Sequence, residues 1–494
     1  MAGCPLFLLW FLATLSLLSA IVGFPSYSPS STSDSPPRRR PPPLPVLPVP
    51  SASQLSWQLG EMAMFLHFGP NTFTDSEWGS GRVDPGVFNP ADLDARQWTR
   101  AAAEGGFSRL VITAKHHDGF CLWPSAYTNY SVRSSPWRAG RGIEAGVGMG
   151  IYLSPWDRHE PCYGKTTEYN EYFLGQMAEL LTGYGEIKEV FLDGAKGKDS
   201  TDMEYFFDSW FKVIHQHQPR LRWVGNEAGA AGRTCWSLFN QSDVAIGHTT
   251  EYSSEGDPVG RDWVPAECDV SIRPGWFWHS KEQPKSAADL LEIYYSSVGR
   301  NCFLILNVPP IPRFSKLRRT IFSQNLAQDA VATASSTRGG GSGGDPSFGA
   351  SCVLQEGIFS YWAPEEGGGK WEILLDLRRP VRFNVFQVQE PIQMGQRISS
   401  FHVDAIVDGA WETIAYGTTV GYKRLLRLPL VESQYLRLVI DGARADPLVS
   451  YMGIYLDEFS TIHHWKRMRM PSGSKKSHLL RQPASMHDGY QVAM

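Results

Sequence analysis

The chain has 494 residues, of which 42% are hydrophobic and 19% are charged, and its formal net charge is −4. This length exceeds what one small core can organise, so we expect two domains or one large barrel with an appendage. The balanced charge argues against a nucleic-acid-binding protein, which would carry a basic face. The 17 Trp, 19 Tyr and 25 Phe residues argue against a disordered chain and suit core packing or contact with sugar rings.

The first 54 residues predict targeting and linker segments. An apolar run from Leu6 to Val22 ends at small residues, which is typical of a signal peptide over residues 1–23, with a signal anchor as the alternative. Residues 24–54 are rich in Pro and Ser and predict an extended linker. No second apolar span follows, so we expect a secreted, extracellular protein without a membrane span.

The cysteines and sequons agree with an extracellular chain. Six cysteines remain after Cys4, an even number that permits disulfides without revealing their pairing. The absence of a Cys-x-x-Cys pair argues against a zinc or redox site. Asn129 and Asn240 stand in Asn-x-Ser sequons and are predicted to be glycosylated.

Residues 55–322 alternate between strand-like and helix-like stretches. The strand candidates are Met62–Phe68, Arg109–Ala114, Met149–Leu153, Val190–Leu192, Cys268–Ile272 and Phe303–Asn307. The helix candidates are Pro90–Glu104, Thr167–Thr182, Asp202–Gln216 and Ser286–Gly299. Alternation over about 250 residues predicts a (β/α)8-like barrel, with a doubly wound open sheet as the alternative.

The remainder of the chain has a different pattern. Residues 323–462 contain short runs of period-two alternation, such as Lys370–Leu377, Ser400–Val407 and Gln434–Ile440. These runs predict a C-terminal antiparallel β-sandwich, for which we expect the galactose-binding-like type. Residues 463–494 are basic and irregular and are predicted to form a disordered tail.

Polar residues follow four of the strand candidates. They are His67, Lys115–Phe120, Ser154–Asp157 and Asp193. In a parallel barrel these ends meet at one rim, where active sites are built. Asp193 follows an apolar strand and is a candidate nucleophile for sugar chemistry, in which two carboxyl groups flank the scissile bond; a turn Asp capping the next helix is the alternative.

The sequence pattern does not by itself identify the residue that supplies the second carboxyl group. Glu227 is the leading candidate because Trp223 and Trp236 nearby could keep it protonated, and Glu251 and Glu267 are its rivals.

The adjacent His116 and His117 could bind the hydroxyl groups of a ligand or serve as rim residues with no ligand role. With His67 and Asp118 they could instead form a metal site, although no His-x-His or His-Glu-x-x-His spacing supports one.

Taken together, these motifs resemble the α-L-fucosidases of glycoside hydrolase family 29. The resemblance covers about residues 57–462 and rests on motifs that occur in family order: His67-Phe68, Ser76–Trp78, Lys115–Phe120, Gly150–Asp157, Asp193–Ala195 and Leu306–Pro310. Arg222–Glu227 and Arg273–Phe277 are similar to the branch that includes secreted plant enzymes.

The resemblance implies a retaining glycosidase that needs neither a metal nor an organic cofactor. By matching motif, Asp193 is expected to be the nucleophile and Glu227 the acid/base. The expected fucose-binding residues are His67, Glu77, Trp78, His116, His117, Tyr152 and Trp276. The expected substrates are fucosylated oligosaccharides or N-glycans with α-1,3- or α-1,4-linked fucose, as in Lewis-type antennae.

Two segments depart from the family pattern. Most of a helix is absent near residues 140–150, and about one strand with its turn is absent near residues 218–222. A barrel that lacks a strand exposes unpaired edges. The departures leave open an alternative function, a catalytically impaired or inactive glycan-binding protein.

Overall fold

The computed structural model describes residues 40–137, 148–193, 196–197, 202–219, 221, 223–225, 263, 265–307, 313–340 and 346–459. The chain divides into two compact units, residues 1–41 and 42–494, and the features below belong to the second. The predicted signal peptide and C-terminal tail lie outside the described residues, as do Glu227, Glu251 and Asn240.

The first sheet contains parallel strands. Their bounds are β1 Met62–Leu66, β2 Arg109–Lys115, β3 Gly148–Leu153, β4 Ile187–Phe191, β5 Trp223–Gly225, β6 Ala266–Ser271 and β7 Cys302–Asn307. The strand order is β5-β4-β3-β2-β1-β7-β6, and every described pair is parallel. The six strands expected from sequence are present, whereas the three-residue β5 was too short to show a period.

Helices follow most of these strands. Their bounds are α1 Ala52–Gln58, α2 Pro70–Phe73, α3 Ala95–Gly105, α4 Thr166–Gly183, α5 Phe207–His217, α6 Ala287–Ser296 and α7 Arg313–Phe322. Asp94 caps α3 by accepting from the Arg96 amide, so this helix begins later than the predicted Pro90. Helix α1 begins at Ala52, inside the segment predicted as linker, where Ser51 and Gln54 form a capping box.

The connection from β2 to β3 contains no α-helix in its described part, residues 116–137. The regular element described there is a single 3-10 turn, Val132–Ser134. The departure predicted near residues 140–150 lies mostly outside the described residues and stays a prediction. Strand β5 follows α5 after five residues and pairs with β4.

Strand β1 is apolar on both faces because both of its faces are covered. Every residue of β1 is buried, as expected for a strand with core on each side. On one face Phe65 packs with Trp57, Tyr152 and Phe303. On the other face the side chains of β1 and β7 pack against α6 and α7. The expected barrel-like α/β domain is therefore confirmed.

The second sheet is antiparallel and forms the C-terminal sandwich. Its strands are β8 Val331–Ala334, β9 Trp371–Gln389, β10 Ile398–Val407, β11 Ala410–Gly417, β12 Arg424–Ala443 and β13 Tyr451–Tyr455. The long β9 and β12 change register between Arg427 and Val431 and again between Ser433 and Tyr435. Side chains from both halves of these strands share one core, which confirms the predicted sandwich.

The sandwich contacts the barrel beside the N-terminal end of β1. Glu61 accepts hydrogen bonds from Lys423 Nζ at 2.5 Å and from Tyr422 Oη at 2.9 Å. Burial acts to raise the pKa of Glu61, but the charge and hydrogen bond of Lys423 outweigh it and hold that pKa below its usual value. Asn301 accepts from the Tyr422 amide at 2.7 Å, so the contact joins both domains through charged and neutral hydrogen bonds.

A disulfide joins two neighbouring strands of the barrel. Cys268 on β6 and Cys302 on β7 are bonded to each other across 34 residues of sequence. Spacing alone did not reveal this pairing. No helix among the described residues is both long enough and apolar enough to span a membrane.

Candidate active site

The candidate site lies where the parallel strands end. His67 follows β1, His116 and His117 follow β2, and Asp193 stands two residues beyond β4. Neighbouring parallel strands end at the same edge of a sheet, and β1 to β4 are consecutive neighbours. The side chains predicted from four separated motifs therefore come together at one rim.

The imidazole rings form a packed row. The ring centroids of His67 and His116 are 5.5 Å apart, and those of His116 and His117 are 4.2 Å apart. Trp276 closes one end of the row at 5.3 Å from His67, and Trp156 closes the other at 4.8 Å from His117. Aromatic walls of this kind suit a ligand with apolar ring faces and polar edges.

The nucleophile candidate is hydrogen-bonded to Tyr152 and lies beside His117. Tyr152 Oη donates to Asp193 Oδ2 at 2.8 Å, and His117 Nε2 is 3.8 Å from the same oxygen. The Asp193 side chain is 30% exposed, whereas that of His117 is only 7% exposed. The carboxylate is thus oriented by its neighbours but open to an incoming ligand.

Burial lowers the pKa of all three imidazoles in the row and so favours their neutral form. Desolvation lowers the pKa of His67 to about 3, although its hydrogen bond to Asn307 acts in the opposite direction. Desolvation also lowers the pKa of His116, with His117 and His67 adding to the effect. For His117, burial lowers the pKa more than the Asp193 charge raises it. Neutral imidazoles can act as hydrogen-bond partners without adding positive charge beside the carboxylate.

Glu77 holds the loop that carries Trp276, at the end of the histidine row opposite Trp156. Its carboxylate accepts from the backbone amides of Trp276 at 2.6 Å and Phe277 at 3.3 Å. It also contacts His279 Nε2 at 2.8 Å. Since these contacts cross 199 residues of sequence or more, Glu77 joins the loop after β1 to the loop after β6 and sets the position of the Trp276 ring.

Trp78 is the most exposed of the predicted ring-binding residues, at 47%. Its indole packs edge-on against Trp156, with centroids 6.2 Å apart. Trp156 also lies under the Arg158 guanidinium, 5.7 Å from it. This pair extends the aromatic surface outward from the histidine row.

The remaining predicted residues lie in different surroundings. Glu267, the rival acid, stands on β6 and is half-buried. Asn129 is exposed in the segment between β2 and β3. Across the described residues, no group of three or more His, Cys, Asp or Glu side chains could hold a metal ion.

Sequence reasoning missed three residues that support the site. Asn307 ends β7 and contacts His67 Nδ1 at 3.0 Å; Ser154 follows β3 and contacts His117 Nδ1 at 2.8 Å. His279 bridges Asp75 and Glu77. Asn307 and Ser154 occur within motifs that were recognised, and their position at a strand end was the one available signal.

Known proteins match this chain over most of its length. The family model for alpha-L-fucosidase matches residues 67–315. Alpha-L-fucosidase 1 of Arabidopsis thaliana is 57% identical over 474 residues, covering 88% of this chain and 93% of that protein. The crystal structure of SpGH29 has a TM-score of 0.74 and 38% identity, covering 84% of this chain and 99% of that chain. A Ruminococcus gnavus GH29 fucosidase in complex with fucose has a TM-score of 0.74 and 31% identity, covering 85% of this chain and 97% of that chain.

The fold, the carboxylate-centred rim and these matches define a glycosidase. The chain belongs to the α-L-fucosidase family, glycoside hydrolase family 29. The family expected from the sequence motifs is thereby confirmed.

Proposed function

We propose that this protein is a secreted, retaining exo-α-L-fucosidase that releases terminal α-1,3- or α-1,4-linked L-fucose from fucosylated oligosaccharides and N-glycans. The observation that carries the proposal is the open Asp193 carboxylate, hydrogen-bonded by Tyr152 and flanked by His117 at the rim of the barrel. A carboxylate fixed in this way can attack a sugar carbon without first being reoriented.

The proposed reaction has two steps with Asp193 as nucleophile and Glu227 as acid/base. An Asp193 oxygen bonds to the anomeric carbon while the glycosidic bond breaks, and Glu227 gives its proton to the leaving oxygen. Water then attacks the same carbon and gives a proton to Glu227, so Asp193 is released and the anomeric configuration is retained. Glu227 takes this role from its motif alone.

The proposed fucose pocket is built from the residues that surround Asp193. Binding of the sugar hydroxyls and ring is assigned to His67, Glu77, Trp78, His116, His117, Tyr152 and Trp276. The support is their geometry: a row of neutral imidazoles supplies hydrogen-bonding nitrogen atoms, and the flanking indoles supply faces for the apolar side of the sugar.

Hydrolysis of p-nitrophenyl α-L-fucoside tests the activity. We expect turnover by the folded full chain and loss of at least about a thousandfold in Asp193→Asn, as for other essential catalytic groups. Asp408→Asn, an exposed change in the turn between β10 and β11, is the matched control and should retain activity. Well-folded protein that binds fucosylated glycans but does not hydrolyse them would favour the glycan-binding alternative instead.

The linkage preference rests on the resemblance of Arg222–Glu227 and Arg273–Phe277 to one branch of the family. Release of fucose from Lewis a and Lewis x trisaccharides, but not from α-1,2-linked 2′-fucosyllactose, is the expected pattern. Equal rates on all three substrates would refute the preference without affecting the proposed chemistry.

Secretion is supported by the apolar N-terminal run and by the Cys268–Cys302 bond, because disulfides persist mainly in oxidising compartments. We expect the mature protein outside the cell, which in a plant is the apoplast, with glycans on Asn129 and Asn240. Removal of residues 1–23 should abolish export, and Asn129→Gln should raise electrophoretic mobility by the equivalent of one glycan. Efficient export of the shortened chain would contradict the proposed signal peptide.

A further inference from the structure

His117 is held from behind by a chain of hydrogen bonds that ends on a backbone carbonyl. Its Nδ1 is 2.8 Å from Ser154 Oγ, and that hydroxyl donates to the Trp156 carbonyl at 2.7 Å. A hydroxyl group has one proton. Because the carbonyl takes that proton, Ser154 Oγ accepts from the ring, and Nδ1 of His117 carries a hydrogen.

His67 is held by a second chain of the same kind. The Asn307 amide nitrogen donates to the Trp276 carbonyl at 2.7 Å and to Ser271 Oγ at 3.0 Å. Ser271 Oγ in turn donates to the Gly275 carbonyl at 2.7 Å. Since the Trp276 carbonyl can only accept, the Asn307 oxygen must face His67, 3.0 Å from Nδ1. Nδ1 of His67 therefore also carries a hydrogen.

We propose that Ser154 and Asn307 are positioning residues that fix His117 and His67 as neutral, Nδ1-protonated imidazoles, so that both rings present an unprotonated Nε2 to the substrate. The inference rests on the proposed function. It adds that Nε2 of each of these two histidines accepts a hydrogen bond, for which a hydroxyl group of the sugar is the donor.

The surroundings of the two rings agree with this assignment. Burial lowers the pKa of both rings, so neither ring gains a second proton near neutral pH. His117 Nε2 is 3.8 Å from Asp193 Oδ2, which is too long for a hydrogen bond between them. His116 differs, because its buried Nδ1 has no hydrogen-bond partner among the described residues, so no chain of this kind fixes its tautomer.

The direct test is the long-range ¹H–¹⁵N spectrum of ¹⁵N-histidine-labelled full chain at pH 7, assigned with His67→Gln and His117→Gln. We expect a protonated Nδ1 and an unprotonated Nε2 for both rings in the wild type. Ser154→Ala should change the pattern of His117 and leave that of His67. A protonated Nε2 in the wild type, or an unchanged His117 in Ser154→Ala, overturns the proposal. The measurement requires no turnover, so its result is independent of the proposed activity.

Kinetics supply the second arm, with p-nitrophenyl α-L-fucoside as substrate. Ser154→Ala should lower kcat/KM about tenfold or more, the effect of one lost hydrogen bond to a ligand-binding group. Ser450→Ala is the matched control: Ser450 is also fully buried, lies in the sandwich, and its hydroxyl has no partner within the described part of the chain. It should leave kcat/KM unchanged. Equal losses in both variants would indicate a general cost of removing a buried hydroxyl and would overturn the positioning role.

Asn307→Asp separates tautomer control from a merely structural role. The new carboxylate still accepts from Nδ1 of His67 but can no longer donate to the Trp276 carbonyl, a loss that lowers activity equally at every pH. Its negative charge also raises the pKa of the His67 ring, which faces His117 and Asp193 as well. At low pH both ring nitrogens then carry hydrogens, and Nε2 can no longer accept. We expect activity to fall on the acid side and to recover as the pH rises. A pH profile of wild-type shape, lowered uniformly, would contradict the proposal.

Discussion

Tyr152 donates a 2.8 Å hydrogen bond to Oδ2 of Asp193, joining side chains from the ends of the adjacent strands β3 and β4. The phenol ring is buried between Phe65 and Phe191, with centroids 5.7 and 5.6 Å away. Burial, together with the nearby Asp193 charge, raises the pKa of Tyr152 well above its ordinary value. The phenol therefore keeps its proton and remains a donor throughout the working pH range.

Replacement of this donor gives the first prediction. Tyr152→Phe removes a hydrogen bond to a charged group, worth about 1.5–3 kcal/mol. We expect kcat/KM on p-nitrophenyl α-L-fucoside to fall about 10- to 100-fold. Tyr451→Phe, which removes a hydroxyl bonded at 2.9 Å to Tyr455 in the sandwich, should leave kcat/KM unchanged. Comparable losses in the two variants would mean that the Tyr152 hydroxyl acts through stability alone.

The histidine row predicts an acid-side loss of stability. The folded-state pKa of His67 is about 3, below its value of 6.5 in the unfolded chain. Between pH 3 and pH 6.5 only the unfolded chain binds the proton. The stability that the folded chain gains from a neutral His67 is therefore fully present above pH 6.5 and is lost as the pH falls towards 3. Between pH 4.5 and 6, the free energy of unfolding measured with urea should depend less steeply on pH in His67→Gln than in the wild type, by about 1.4 kcal/mol per pH unit. An unchanged slope would mean that His67 takes up its proton in the folded state.

The charged contact between the domains predicts a large stability effect. The side chains of Lys423 and Glu61 are 8% and 15% exposed, and removal of one partner from a buried pair leaves an uncompensated charge. We expect Lys423→Met to lower the free energy of unfolding by about 3 kcal/mol. Lys370→Met is the control, since Lys370 is 74% exposed in its contact with Glu372, and it should change stability by less than about 1 kcal/mol. Similar values for both variants would argue that water screens the Lys423 contact.

The Cys268–Cys302 bond closes a separation of 34 residues. Its loss in the double variant Cys268→Ala/Cys302→Ala should lower the free energy of unfolding by about 2–4 kcal/mol, because the unfolded chain regains conformational freedom. A reducing agent should lower the melting temperature of the wild type but not that of the double variant. If the reducing agent has equal effects on both proteins, another disulfide is responsible.

The site residues that the strand pattern could predict share one property: each stands at the end of an apolar run that is long enough to identify as a strand, whereas Glu77, Trp78 and Trp276 were expected from the family resemblance alone. His67, His116 and Asp193 were found in this way, and the barrel-and-sandwich fold followed from the periods of the runs. The three-residue strand β5 and the bends of β9 and β12 gave no periodic signal. Helix α7 was not among the predicted helices, although Pro309, Pro310 and Pro312 directly precede its first residue.

The supporting contacts were beyond sequence reasoning for a different reason. Asn307 lies 240 residues from His67, and Glu77 lies 199 residues from the Trp276 amide. Such pairs form only because the sheet brings distant strand ends to one rim. No local pattern encodes the partner, although Asn307 and His67 are each visible as polar residues at a strand end.

Strand β1 has different neighbours at its two ends. Glu61, just before it, contacts the sandwich, and His67, just after it, packs in the histidine row of the candidate site. At about 3.3 Å per residue, these positions stand roughly 20 Å apart. Thermal stability and substrate preference can therefore be altered independently. Substitutions around Lys423 should change the rate of thermal inactivation and leave the substrate preference unchanged.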